Sequence, residues 1–321
     1  MKVLITGGAG FIGSHLADFF IKQNYEVTVV DNFEPYYPRI LKERNIQHNL
    51  SNPNYTFCEL DIRETKKIEG ILKKRTPDVI IHLAASAGVR PSIEKPLSYV
   101  DNNVLGTTSI LEASKIAGIK KIVFASSSSI YGKSKNIPFH EDESMDHAIS
   151  IYATSKQNGE LLNRMYHNLF NMDVINLRFF TVYGPRQRPD LAINKFIRAN
   201  LEGKEIVMFG DGTMARDYTF VHDTVDGIVK ASTRVLNNQN LFETYNLGNS
   251  FPVSLTELIK SIEEITEIKM KIRKEDIPLG DVPITYANID KAKKILGYNP
   301  KTPLKEGLIS FMNWIKENPS T

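Results

Sequence analysis

The stretch Met1–Gly13, MKVLITGGAGFIG, limits what this chain can fold into more than any other part of it. Met1–Thr6 is a short apolar, β-branched run that stops at glycine, as a buried parallel strand does. Ser14–Gln23 then carries Leu16, Phe19 and Phe20 at helical spacing. Between them lies Thr6-Gly7-Gly8-Ala9-Gly10-Phe11-Ile12-Gly13, with glycines spaced G-x-x-G-x-x-G. A strand that turns on glycines straight into a helix presents unpaired N–H groups and the positive end of the helix dipole. Without side chains in the way, an anion can come against that backbone. The strand–loop–helix context lifts the motif above a chance cluster of glycines. It predicts a dinucleotide with its pyrophosphate at Gly7, Gly10, Phe11, Ile12 and Gly13.

The next strand, Glu26–Val30, ends at Asp31, followed by Asn32. A carboxylate there accepts hydrogen bonds from adenosine ribose hydroxyls and repels a 2′-phosphate, which favours NAD over NADP. Asp31 has a plainer reading as a turn residue before Asn32. Asp61, with Ile62 beyond it, follows the strand Thr56–Leu60 and could reach the adenine amino group. Leu83-Ala84-Ala85 closes the strand Val79–Leu83 with small residues that leave room for a cofactor lying across it. Strands go on alternating with helices: Lys66–Arg75, Gly106–Ala117 and Ser155–Phe170 as helices, Lys121–Ala125 and Asp173–Leu177 as strands. That rhythm predicts the α/β class, a Rossmann-like doubly wound parallel sheet. Residues 1–180 read as the NAD-binding domain. Residues 181–321 read mainly as a smaller α/β substrate domain, with part of 205–240 returning to the first. In it Ile193–Leu201, Val221–Leu236, Ser254–Ile265 and Leu304–Glu317 read as helices, with short strands within Gly203–Thr213 and at Met270–Arg273.

Charge narrows the partners. Lys plus Arg number 40 against 37 Asp plus Glu, a net +3, which points to no nucleic acid. The single cysteine, Cys58, excludes an internal disulfide and a thiolate zinc site, and the histidines show no metal spacing. No apolar run approaches the roughly 20 residues of a membrane span. The N-terminus runs into glycines rather than into a signal-peptide core. The expectation is a cytoplasmic protein with no membrane partner and no metal.

Phe124-Ala125 leads into Ser126–Ser129, and Tyr152-Ala153-Thr154-Ser155-Lys156 follows. A Tyr and a Lys at i and i+4 share one helix face. Lysine's charge favours phenolate and lowers the tyrosine pKa from about 10 towards a useful base. Alone, Y-x-x-x-K is commonplace on helix surfaces; after a glycine loop, Asp31 and a serine-ended strand it becomes specific. His222-Asp223 reads as a helix cap rather than as a catalytic pair.

Taken together, GGAGFIG, HLAA, NNVLG (Asn102–Gly106), SSSSIYG and YATSK resemble the extended short-chain dehydrogenase/reductases, in their nucleotide-sugar epimerase and dehydratase branch, over essentially the whole chain. The resemblance implies a tightly bound NAD and a UDP-sugar substrate. It implies that Ser127 binds the reacting hydroxyl, Tyr152 moves its proton and Lys156 holds the nicotinamide ribose and tunes Tyr152. Asn102 and Asn103 match the segment that lines the cofactor. Dehydratases of the branch carry Thr-Asp-Glu where this chain has Ser127-Ser128-Ser129, and related decarboxylases place Glu third. Hydroxyls alone leave epimerisation: oxidation at C4, rotation of the sugar, and return of the hydride to the other face.

The run Leu177–Asp190 is similar to that of the UDP-glucuronate 4-epimerases, as is Ala87-Gly88-Val89-Arg90. By that likeness Thr181 and Arg188 hold the sugar end, with Arg188 forking onto the C6 carboxylate beside Ser128, and Arg90 is a further substrate-binding residue. Arg216 pairs with the diphosphate and Asp281 lies near the uridine. A homodimer is implied through the helices after Asn103 and around Tyr152, with Ile110, Leu111, Leu161, Leu162 and Met165 as candidate contacts. A UDP-glucose/galactose 4-epimerase is the alternative, followed by a UDP-uronate decarboxylase or a nucleotide-sugar ketoreductase. Asp31 speaks against the ketoreductase, and the retained Tyr–Lys pair against a non-catalytic scaffold.

Overall fold

A computed structural model describes residues 1–319; Ser320 and Thr321, the end of the range read as the second domain, lie outside the described residues. In chain order the first part runs β1 (Lys2–Thr6), α1 (Phe11–Lys22), β2 (Glu26–Asp31), α2 (Arg39–Gln47), β3 (Tyr55–Glu59), α3 (Thr65–Arg75) and β4 (Val79–His82). Short helices α4 (Val89–Glu94) and α5 (Pro96–Tyr99) lead into α6 (Gly106–Ala117), β5 (Lys121–Ser127), α7 (Ile151–Phe170) and β6 (Asp173–Phe179).

The sheet order is β10-β6-β5-β4-β1-β2-β3, where β10 is Phe242–Leu247, and every pairing is parallel. Helices on both faces of a parallel sheet bury its strands, so β1, β2, β4 and β5 are buried almost throughout. Strand order reverses between β1 and β4. The carboxyl ends of these two strands therefore diverge into a crevice, the usual ligand position in such folds.

Two local features were not legible in the expected boundaries. Helix α7 starts four residues before Ser155, because the Ser150 hydroxyl accepts the Ala153 N–H at 3.1 Å and caps the first turn. Tyr152 thereby lies inside the helix. Val100–Leu105 winds as a wide π-turn ahead of α6 and carries Asn102 and Asn103.

The second part adds β7 (Thr181–Tyr183), α8 (Ala192–Leu201), β8 (Glu205–Phe209), β9 (Ala215–Phe220) and α9 (Val221–Asn237) before β10. After β10 come β11 (Pro252–Ser254), α10 (Leu255–Thr266), β12 (Lys271–Glu275), α11 (Asp290–Leu296) and α12 (Leu304–Glu317). Strands β11, β9 and β7 form one small sheet, and β12 pairs in parallel with β8. Helix α9 packs on α1, β5 and β6, and β10 extends the large sheet beyond β6. Its sequence, FETYNL, gives no clean apolar run because it is an edge strand with a half-exposed start. Asp223 is not a cap: its carboxylate accepts the N–H groups of Lys301 and Thr302 and ties α9 to the segment before α12. Ile110 and Leu111 are core, whereas Leu161 and Met165 are exposed. Among the described residues, no helix is long and apolar enough to cross a membrane, and no group of His, Cys, Asp and Glu could hold a metal ion.

Candidate active site

A cavity of about 390 Å³ opens over the carboxyl ends of β1, β4 and β5. Its floor is the glycine loop: Gly7, Gly10, Phe11, Ile12 and Gly13 all line it. Gly7 has φ +71, and a Cβ there would lie 2.8 Å from the Ala84 nitrogen. A Cβ on Gly13 would lie 2.3 Å from the Gly7 carbonyl oxygen. The loop therefore packs backbone on backbone, and no side chain caps the first turn of α1. A dinucleotide pyrophosphate fits this cradle of bare amides.

Asp31, Asn32, Asp61 and Ile62 line the far end of the cavity. The Asp31 carboxylate accepts N–H bonds from Ala9 at 3.1 Å and Phe33 at 2.9 Å, which fixes its orientation. Sequence reasoning missed its neighbour: Lys42, on α2, also lines the cavity, with Nζ 3.9 Å from Asp31. Burial pushes the Lys42 pKa down. Both Asp61 oxygens are engaged, by Arg63 at 2.7 and 2.9 Å and by Asn32 at 2.9 Å. These bonds hold its carboxyl down at about 2. Leu83, Ala84, Ala85 and Asn102 form the middle of the wall. Asn103 does not line it. Its amide instead clamps Ser86 to Ser155, bonding the Ser86 backbone at 2.8 and 2.9 Å and the Ser155 hydroxyl at 2.8 Å.

Ser127, Tyr152 and Lys156 meet at the near end. Ser127 and Tyr152 line the same end of the cavity, and the Ser127 oxygen accepts from the Ser129 N–H at 3.2 Å and the Ser129 hydroxyl at 2.9 Å. Burial raises the phenol pKa, and the Ser127 hydroxyl and the Arg188 charge pull it back. Lys156 donates to the Ala125 carbonyl at 2.7 Å, and burial brings it down to about 7. The sequence suggests that Lys156 tunes the phenol by charge. Burial outweighs the one charge that raises it, the Glu160 carboxylate, so Lys156 carries only part of its charge near neutral pH.

Thr181 and Arg188 close the same end. Arg188 is not the free fork the sequence suggests. Its Nε and Nη2 grip Asp190 at 2.9 and 2.7 Å, and Nη1 and Nη2 share the Ala87 carbonyl at 3.3 Å. Of five N–H donors, four are engaged, leaving one on Nη1. The guanidinium also stacks 4.6 Å over the Tyr36 ring. Tyr36, half-exposed at the cavity edge, carried no sequence signal.

Ser128, Arg90, Arg216 and Asp281 lie outside this cavity wall. Three of them form a second group. Arg90 Nη2 pairs with Asp281 at 2.7 Å and stacks 4.4 Å over Phe209, and Arg216 sits within the field of both charges. Arg90 is two residues beyond Gly88, which does line the cavity, so the group flanks its mouth. Ser128 opens the 3₁₀ turn Ser128–Tyr131 and is half-buried. His222 rests edge-on against His15 and Phe220, away from these groups.

Fold and cavity define a class: an α/β protein whose glycine-loop cavity suits a dinucleotide, with Ser127, Tyr152 and Lys156 together in its lining. A sequence profile of the GDP-mannose 4,6 dehydratase family matches residues 4–311. A UDP-glucuronate 4-epimerase from Thermodesulfobacterium geofontis is 41% identical, over 98% of this chain and 96% of its own length. The crystal structure of a UDP-glucuronic acid 4-epimerase from Bacillus cereus, with UDP-glucuronic acid and NAD, superposes with a TM-score of 0.93. That protein is 37% identical, with 99% of each chain covered. A UDP-glucose 4-epimerase from Thermotoga maritima, solved with UDP-glucose, gives a TM-score of 0.90 at 32% identity over 100% of both chains. The chain belongs to this family, in the nucleotide-sugar epimerase branch of the extended short-chain dehydrogenase/reductases.

Proposed function

We propose that the protein is an NAD-dependent 4-epimerase that interconverts UDP-glucuronate and UDP-galacturonate. One observation carries the reading: Ser127 and Tyr152 line one end of the glycine-loop cavity together with Arg188, and the charge acting on that phenol is the Arg188 guanidinium. An anionic sugar placed beside Arg188 would therefore have its 4-hydroxyl within the reach of Tyr152. The relatives named above act on UDP-sugars, and two of the three are UDP-glucuronate epimerases.

The C4 hydrogen of a sugar is not acidic, so a base alone cannot invert that centre. NAD, held by the glycine loop and Asp31, would supply a reversible acceptor for this hydride. Tyr152 takes the proton from the 4-hydroxyl and returns it to the oxygen on the new face. Ser127 holds that oxygen in line, and Lys156 stabilises the phenolate. Rotation of the sugar between oxidation and reduction at C4 would invert that centre with no net oxidation of the substrate. Ser127-Ser128-Ser129 offers no carboxylate for water elimination, which separates this chain from the activity that names the family profile. The resulting 4-keto-uronate is a β-keto acid. Thr181 and Arg188 would keep its carboxylate from turning perpendicular to the ketone, the geometry that releases CO₂.

The substrate's diphosphate and uridine would fall to Arg216, Arg90 and Asp281 at the mouth, where Phe209 offers a flat apolar face. A homodimer through α6 and α7 fits the apolar side chains left bare there: Leu169 is 64% exposed, Leu161 54% and Ile116 47%. Light scattering behind a sizing column tests it, with Leu161→Glu expected to shift the mass from two chains to one.

The substrate test adds no cofactor. Purified protein is incubated with UDP-glucuronate or with UDP-glucose, and the anomeric signals are followed by NMR. UDP-galacturonate from the first alone is the expected result. UDP-galactose from the second alone would overturn the substrate, and no product from either would overturn the activity.

A further inference from the structure

Tyr152, Lys156 and Glu160 stand one helical turn apart on one face of α7, which packs on β5. Their partners fall together at the end of β5: Lys156 donates to the Ala125 carbonyl, Glu160 accepts the Ser126 hydroxyl through Oε1, and Tyr152 lines the cavity with Ser127. Gly159 permits this close approach, since a Cβ there would lie 2.4 Å from the Phe124 ring. Glu160 is buried, and Arg178 of β6 holds it twice, Nε to Oε1 at 3.0 Å and Nη2 to Oε2 at 2.8 Å. Arg178 reaches on to the Tyr131 hydroxyl at 2.9 Å and the Glu141 carbonyl at 3.0 Å.

Neither Glu160 nor Arg178 lines the cavity, so neither meets a ligand there. A buried Arg–Glu pair also gains little over well-packed apolar side chains of the same volume. Its position is what it offers. We propose that Glu160 is a positioning residue for the reaction: its carboxylate locks Ser126, and so the adjoining Ser127, to the helix of Tyr152, and from one turn along that helix it opposes the loss of the Lys156 proton. This rests on the proposed roles of Tyr152 and Lys156.

The groups around Lys156 are few. From its own helix come Glu160 and Tyr152, and from β5 the Ala125 carbonyl and the Phe124 ring, 5.1 Å from Nζ. From β4 comes His82, enclosed by the hydroxyls of Thr6 and Thr107 and pushed by burial to about 3, hence neutral. Arg178 stands behind Glu160. Burial lowers Lys156, and Glu160 is the charge that raises it again.

The sign follows. If activity needs charged Lys156, it falls on the alkaline side as Lys156 loses its proton. Removing the Glu160 charge lowers that pKa, so the alkaline limb of kcat against pH should move down by about one pH unit in Glu160→Gln. Glu160→Asp keeps the charge and should hold the limb near its wild-type place. The profiles are read with whichever UDP-sugar the wild type turns over, with far-UV circular dichroism and bound NAD confirming the fold. An inactive wild type refutes the proposed function. An active wild type whose limb stays put in Glu160→Gln refutes the role of Glu160, even if kcat falls. If Glu160→Gln does not fold, Ser126→Ala decides. Losing that hydroxyl leaves more of the carboxylate's charge to Lys156, so the limb should rise, and an unmoved limb overturns the proposal.

Discussion

Gly13→Ala puts a single methyl group where the loop has no room. The new Cβ would lie 2.3 Å from the Gly7 carbonyl oxygen and 2.7 Å from the Gly8 Cα, both backbone atoms. Ordinary contact begins near 3.4 Å, so the carbonyl would have to retreat by about 1 Å. It has nowhere easy to go. The Gly7 N–H is bonded to the Val30 carbonyl at 2.8 Å, its carbonyl accepts the Gly10 N–H at 3.1 Å, and its Cα side lies against Ala84. Overpacking of this kind destabilises by about 1–3 kcal/mol, offset in part by the roughly 1 kcal/mol that alanine gains over glycine in a helix. At about 2–4 °C per kcal/mol the midpoint should fall by a few degrees. The larger effect should be on NAD, because the displaced amides are those proposed to face the pyrophosphate. Hydrogen bonds to a charged group contribute about 1.5–3 kcal/mol, so affinity should drop about ten- to a hundredfold. Scanning calorimetry and the NAD content of protein purified without added cofactor read both quantities. Gly70→Ala is the control: it lies within α3 with nothing within 4 Å of its would-be Cβ, and should raise stability by roughly 0.5–1 kcal/mol. A Gly13→Ala protein with wild-type melting and a full complement of NAD would refute the packing argument.

Tyr152→Phe should lower kcat by about 10²–10⁴-fold while NAD stays bound; cofactor content and single-turnover spectra at the nicotinamide band distinguish lost chemistry from lost binding. Asp31→Asn leaves Lys42 without its carboxylate, 3.9 Å away, so NAD should weaken and NADP should bind comparatively better, read by titration calorimetry with each. Arg188→Ala should let some of the uronate leave as a 4-keto-pentose with CO₂; epimerisation at the wild-type rate without that product would end the carboxylate argument. Asp61 is held at about 2 against an ordinary 3.8, so its contribution to stability is complete above about pH 4 and is lost as the pH falls towards 2. Asp61→Asn should flatten stability against pH across that window in denaturant titrations.

What the sequence determined by itself is local. A strand that ends in G-x-x-G-x-x-G and runs on as a helix announces the phosphate cradle, because strand, turn and cap are each set by neighbours within a few residues. Tyr152 and Lys156 share a face for the same reason, and Asp31 stands at a strand end that the apolar run before it defines. Tertiary structure decided the pairings between distant segments. It brought Asp190, Ala87 and Tyr36 onto Arg188, so a fork that reads as free is mostly engaged. It set Lys42 beside Asp31, closed Arg90 on Asp281, and carried β10 back to the edge of the large sheet. It also gave Glu160, one polar residue among many on a helix, a buried seat under Lys156. None of these has a periodic signature, because burial and charge pairing depend on what the rest of the chain folds against a residue.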